Sequence, residues 1–119
     1  MDVRSSEQTE PVVEHNGTCP VWWFYKEKEL KKATMGGYVE LISEFEIKPG
    51  ASLDPHSHHT LEFYYVISGR GMMTIGGEER QVGPGDLITI PPDVVHSIKP
   101  LGHVPIRSLA VGIGLKDSA

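Results

Sequence analysis

The chain has 119 residues, 39% of them hydrophobic and 23% charged, which fits one folded domain and excludes both a disordered polymer and a membrane-spanning bundle. Eleven Lys and Arg against sixteen Asp and Glu leave a net charge of −5, the wrong sign for a protein that binds by neutralising phosphates, so no nucleic acid is expected as a partner. A single cysteine, Cys19, excludes an internal disulfide and any thiolate-rich metal centre, so a metal here has to be held by nitrogen and oxygen.

Residues 1 to 17 are polar, with few large apolar side chains to repay the entropy of ordering, and read as a flexible tail or an edge strand ahead of one barrel domain over 18–119. They carry no hydrophobic leader, and no run later in the chain approaches eighteen apolar residues, so a cytoplasmic protein without a membrane partner is expected. Val21-Trp22-Trp23-Phe24-Tyr25 suits a strand, although its two tryptophans cannot both face a core. The alternating charges from Lys26 to Lys32 suit a solvated helical turn or loop. From Val39 to Ile47 the apolar residues Val39, Leu41, Phe45 and Ile47 alternate with Glu40, Glu44 and Glu46, the pattern of a strand with one face in a core.

Further strands follow over Leu61 to Ser68, Gly71 to Ile75, Glu79 to Val82, Asp86 to Ile90, Val94 to Lys99 and Ile106 to Ile113. The breaks between them are turn signals: Gly76-Gly77, Gly83-Pro84-Gly85 and Pro91-Pro92-Asp93. Thirteen Gly and nine Pro fit the same picture. Short strands at this spacing make an all-β sandwich or barrel, and closure is favoured because it removes exposed edges.

Six histidines are present, and four of them, His56, His58, His59 and His96, fall close together in the sequence. On a strand His56 and His58 would project from one face. Glu62 opens the next strand, and His96 shares parity with Val94 and Ile98, so it is expected among inward residues, where an imidazole needs a partner.

The fixed points Gly50, His56, His58, Glu62 and Gly69 reproduce a pattern written G(X)5HXH(X)3–4E(X)6G, and Gly85, Pro91 and His96 follow a second one, G(X)5PXG(X)2H(X)3N. The chain thus resembles the cupin superfamily, in its small single-domain form, over roughly residues 35 to 113. Asp93 stands where the second pattern has Gly, and Pro100 stands where it has Asn. Asp tolerates positive φ better than most residues, and neither position is a metal ligand in that family.

The resemblance implies a double-stranded β-helix, or jelly roll, in which His56, His58, Glu62 and His96 bind one divalent metal. Three imidazoles and a carboxylate suit Fe, Mn, Ni, Zn, Co or Cu and fit the all-oxygen preferences of Ca and Mg poorly. Glu62 and Tyr64 are the expected catalytic residues, Tyr64 because it shares inward parity with Glu62. A metal-dependent enzyme acting on a small oxygenated organic molecule is expected, a dioxygenase first. The alternatives are a metal-dependent isomerase, lyase or decarboxylase, or a non-catalytic module binding a sugar or carboxylate. A homodimer is expected from the exposed aromatic run and the edge strands.

The remaining candidates have quieter expectations. His59, of opposite parity, is expected beside the site rather than in it, and His15 and His103 at the surface. Met72, Met73, Ile88, Ile90 and Phe45 are assigned to the core, and Arg107 to an ion pair with a nearby carboxylate in preference to an anionic substrate. Cys19 has no neighbouring positive charge to make it reactive.

Overall fold

The computed structural model describes residues 1–15 and 17–115. Residue 16 and residues 116–119, which the expected tail and barrel boundaries include, lie outside the described residues. Among the described residues there are ten strands: β1 Val12–Glu14, β2 Cys19–Trp23, β3 Val39–Ile47, β4 Leu53–His56, β5 Thr60–Ser68, β6 Gly71–Ile75, β7 Glu78–Val82, β8 Leu87–Ile90, β9 His96–Pro100 and β10 Ile106–Gly114. A short helix, α1 Glu27–Ala33, sits between β2 and β3, the first of the two forms, helical turn or loop, expected of the charged segment. Leu30 explains why it is a helix: this one apolar side chain is buried while the surrounding charges stay in water. No described helix is long and apolar enough to cross a membrane.

The strands form a jelly roll of two antiparallel sheets, one ordered β1-β2-β3-β10-β5-β8 and the other β4-β9-β6-β7. The expected alternation is what closes the roll. Along β10, Ile106, Ser108 and Ala110 face inward with Gly112 and Gly114, and on β5 Glu62, Tyr64 and Val66 do the same. Ile47, Val66, Ile90, Ile98 and Ile106, none more than 1% exposed, make the centre of the core. Phe45, Met73 and Ile88 join them as expected, and Met72 instead lies half-buried on the outward parity of β6.

Two details of the backbone set the frame around the histidines. Gly69 turns the chain between β5 and β6 at φ +80°, and a Cβ there would collide with the Pro105 carbonyl, so no other residue fits the close approach. In the row of the larger sheet that runs Leu41, Gly112, Glu62, Ile90, the absence of a side chain at Gly112 leaves room for the Leu41 side chain to lie over it.

Candidate metal centre

His56 ends β4 and His96 begins β9, and the antiparallel register places the two directly opposite each other, with ring centroids 4.2 Å apart. His58 arrives differently from the strand-parity expectation. The strand stops at His56, and the chain from 57 to 59 is a loop that swings the His58 ring to 4.8 Å from His56 and 5.8 Å from His96. Each of the three imidazoles can offer a ligand atom within 4.8 Å of the other two. Glu62, inward on β5, brings its Oε1 to 3.6 Å from His58 Nε2 and 3.9 Å from His96 Nε2. The three imidazoles thus form one group of possible ligand atoms, and Glu62, which is not part of that group, approaches two of them from the other sheet.

The electrostatics show what that spot is suited to hold. His96 is 1% exposed, and its Nδ1 lies 3.0 Å from the Val94 carbonyl. A carbonyl only accepts, so Nδ1 carries the proton and Nε2 keeps a lone pair directed at the cluster. That buried Nε2 and the buried Glu62 Oε1 both lack a hydrogen-bond partner. Two orphaned acceptors facing each other in a core are costly, and a divalent cation between them satisfies both. The chemistry of the donor set fits a borderline or redox-active metal, so the residues present pass this test.

Burial pushes the Glu62 carboxyl above its ordinary value, partly offset by His56. Burial likewise pulls His96 down, and the neighbouring His56 and His58 add to this against the opposing Val94 carbonyl. Tyr64, 3% exposed, packs edge-on against Phe45 at 4.9 Å with its ring 6.2 Å from that of His96. Burial, with Glu62 and Cys19 nearby, raises its hydroxyl far above the usual phenol range.

The surroundings hold one residue that the sequence placed only at the surface. His15 is exposed, yet its ring centroid lies 5.3 Å from that of His56. It reaches there from the β1–β2 turn, where it adopts φ +52° and its carbonyl accepts from both the Thr18 amide and the Thr18 hydroxyl. Forty residues of sequence lie between it and His56, and the signal in the sequence was the Asn-Gly pair that follows it. His59 lies beside the cluster on an exposed loop, with its Nδ1 2.8 Å from Asp93 Oδ2. His103 is exposed in the β9–β10 turn.

Other candidates resolve into structure. Arg107 Nε bonds Glu44 Oε1 at 2.9 Å, its Nη1 lies 3.6 Å from Glu46 Oε2, and its guanidinium stacks on Trp22 at 3.8 Å. Trp22 thus lies on the outer face, and Trp23 packs toward the core. Cys19 is buried, and burial pushes its thiol up to about 11, far from a reactive thiolate. A cavity of about 940 Å³ opens beyond Leu41, lined by Trp23, Tyr25 and Tyr38 among others, and so adjoins the row that carries Glu62.

Comparison with known proteins places these features in context. The family model described as "Cupin domain" matches residues 43–112, a span containing all four convergent residues. An uncharacterised protein of Methanocaldococcus jannaschii is 38% identical over 74 residues, 61% of this chain and 59% of its own length. A gentisate 1,2-dioxygenase of Haloferax sp is 33% identical over 64 residues, 54% of this chain and 16% of that enzyme. The chain thus spans only part of the curated relatives it matches. Among solved structures, a protein of Thermotoga maritima named a predicted oxalate decarboxylase superposes with a TM-score of 0.84 at 25% identity, covering 96% of this chain and 100% of that one.

Proposed function

We propose, from the premise that this chain belongs to the cupin family, that it is a metal-dependent enzyme acting on a small oxygenated organic molecule, with dioxygenase chemistry as the first reading. The observation that carries this reading is the pair of orphaned acceptors, Glu62 Oε1 and His96 Nε2, between three clustered imidazoles. His56, His58, Glu62 and His96 would hold one divalent transition metal. When bound, that ion supplies Lewis acidity and, if it is iron, manganese, cobalt, nickel or copper, reactivity toward dioxygen.

The chain's own residues account for the rest. Glu62 would give Oε1 to the metal, which leaves its second carboxylate oxygen to exchange a proton with a substrate oxygen. Tyr64 keeps its proton throughout the physiological range, so it serves as a hydrogen-bond donor and not as a base. The isoleucine core behind His96 keeps water from the inner side of the site, and the half-exposed His58 leaves the outer side open to a small molecule.

Anaerobic reconstitution with Fe(II), Mn(II), Ni(II) or Zn(II), followed by oxygen-uptake measurement with catechols, β-diketones and hydroxy acids, tests the proposal. Uptake with at least one redox metal is the expected result, and none with any metal across the panel overturns the oxygenase reading. A decarboxylase is the second reading, favoured by the full-length likeness to the Thermotoga protein. It predicts carbon dioxide release from oxalate or a 2-oxo acid with no net oxygen consumption. Silence in both assays with metal bound would leave a sugar- or carboxylate-binding module.

The proposal extends to setting. The outward residues Tyr65, Ile67 and Leu87, 45%, 45% and 62% exposed, support a homodimer, which sedimentation at micromolar concentration measures. A buried free thiol at Cys19 accords with a reducing cytoplasm, which cell fractionation tests.

A further inference from the structure

His58 is the weak point of the cluster as built. Its side chain is 49% exposed, and it belongs to no strand, whereas His56 and His96 are locked in register and Glu62 sits in the core. Something outside the strands has to hold it. The β8–β9 turn supplies two bonds to that loop, both from Asp93. The Asp93 amide donates to the His58 carbonyl at 2.7 Å, and the Asp93 carboxylate accepts from His59 Nδ1 at 2.8 Å through Oδ2.

Asp93 stands at φ +63°, in the left-handed region that glycine adopts most easily and where the family pattern has glycine. A glycine would give the same backbone bond without strain. The residue present adds only the carboxylate, and the structure shows what that carboxylate does. We infer that Asp93 is a positioning residue, which through His59 pins the 57–59 loop so that His58 is held in place before a metal arrives. The inference rests on the metal reading above. Its energetic basis is that a loop ordered in advance does not charge its conformational entropy to the binding step.

Co(II) is the probe, with affinity measured by competition against a chromophoric chelator and geometry followed by visible absorption. Asp93→Gly keeps the backbone conformation at no strain and removes the carboxylate. It and His59→Ala are each expected to weaken Co(II) binding about tenfold, the scale of partners that orient ligands. The double variant should be no weaker than His59→Ala alone, since that change already removes the bridge. Asp93→Asn, which tolerates the same φ and can still accept from Nδ1, should stay within about twofold of the parent. The inference is overturned if Asp93→Gly or His59→Ala binds Co(II) like the parent, or if Asp93→Asn loses as much as Asp93→Gly. A parent that takes up no Co(II) at all overturns the metal reading, and this inference with it, so the two failures are distinguishable. His59 is exposed, so its replacement tests the bridge even if a change at Asp93 disturbs folding.

Discussion

Glu62 shows how function can be installed against stability. Its carboxyl is 5% exposed, and in the metal-free protein its Oε1 is without a hydrogen bond. A carboxyl with a raised folded value binds protons better folded than unfolded, so its contribution is neutral at low pH and turns unfavourable as pH rises from the ordinary 4.5 through the raised value. Glu62→Gln is therefore expected to raise the metal-free Tm at pH 7 by roughly 4 °C, for about 1 kcal/mol of relief, and to leave it unchanged below pH 4. The same variant should lose most of its metal affinity. Calorimetry across pH with a chelator present checks the first, and metal analysis the second. His96 has the opposite sign. Its folded value lies below the ordinary 6.5, so the metal-free fold loses stability as pH falls through 6.5 toward that value. His96→Gln should flatten that acid-side decline in the same calorimetric series.

Single residues were also where the sequence was most and least readable. The three imidazoles and Glu62 could be named because the residues around them resemble the two motifs of the cupin family. The correct reason for His58 was not available, because a loop and not strand parity delivers it. His15 and the Asp93 bridge were hidden for a related reason: each depends on a side chain crossing between turns distant in sequence, and neither periodicity nor spacing encodes such a crossing.

At the level of elements, most of the fold was legible. β3, β5, β6, β7, β8 and β10 lie within one residue of where strand and turn signals put them, and along β3 the signal was the alternation of apolar and charged residues. β4 and α1 were harder. β4 has four residues, one of them Pro55, too short to show a period, and α1 shows a single buried side chain, Leu30. The turns matter as much as the strands they join. Gly69→Ala should destabilise by about 2 kcal/mol or more, because it adds a Cβ at positive φ against the Pro105 carbonyl. Urea denaturation measures this. The slope should stay as it is while the midpoint falls.

Across the whole molecule, the proposed metal site would span both sheets: β4 and β9 of the smaller sheet contribute His56 and His96, and β5 of the larger contributes Glu62. An ion bound by both sheets opposes their separation. Saturating a divalent metal at a hundredfold over its Kd is expected to stabilise the fold by about 2.7 kcal/mol, and chelation should reverse this fully. Thermal melts with and without EDTA read it directly.

The β1–β2 turn gives the arrangement a practical side. His15 approaches His56 from a segment that precedes residues 43–112, the part shared with the family, and that carries none of the four convergent side chains. The side chain that meets His56 from outside thus comes from a different stretch of chain than the imidazoles themselves. An engineer could diversify His15 and Thr18 as an interchangeable cartridge, rewriting what meets His56 from outside without altering a strand that anchors the imidazoles.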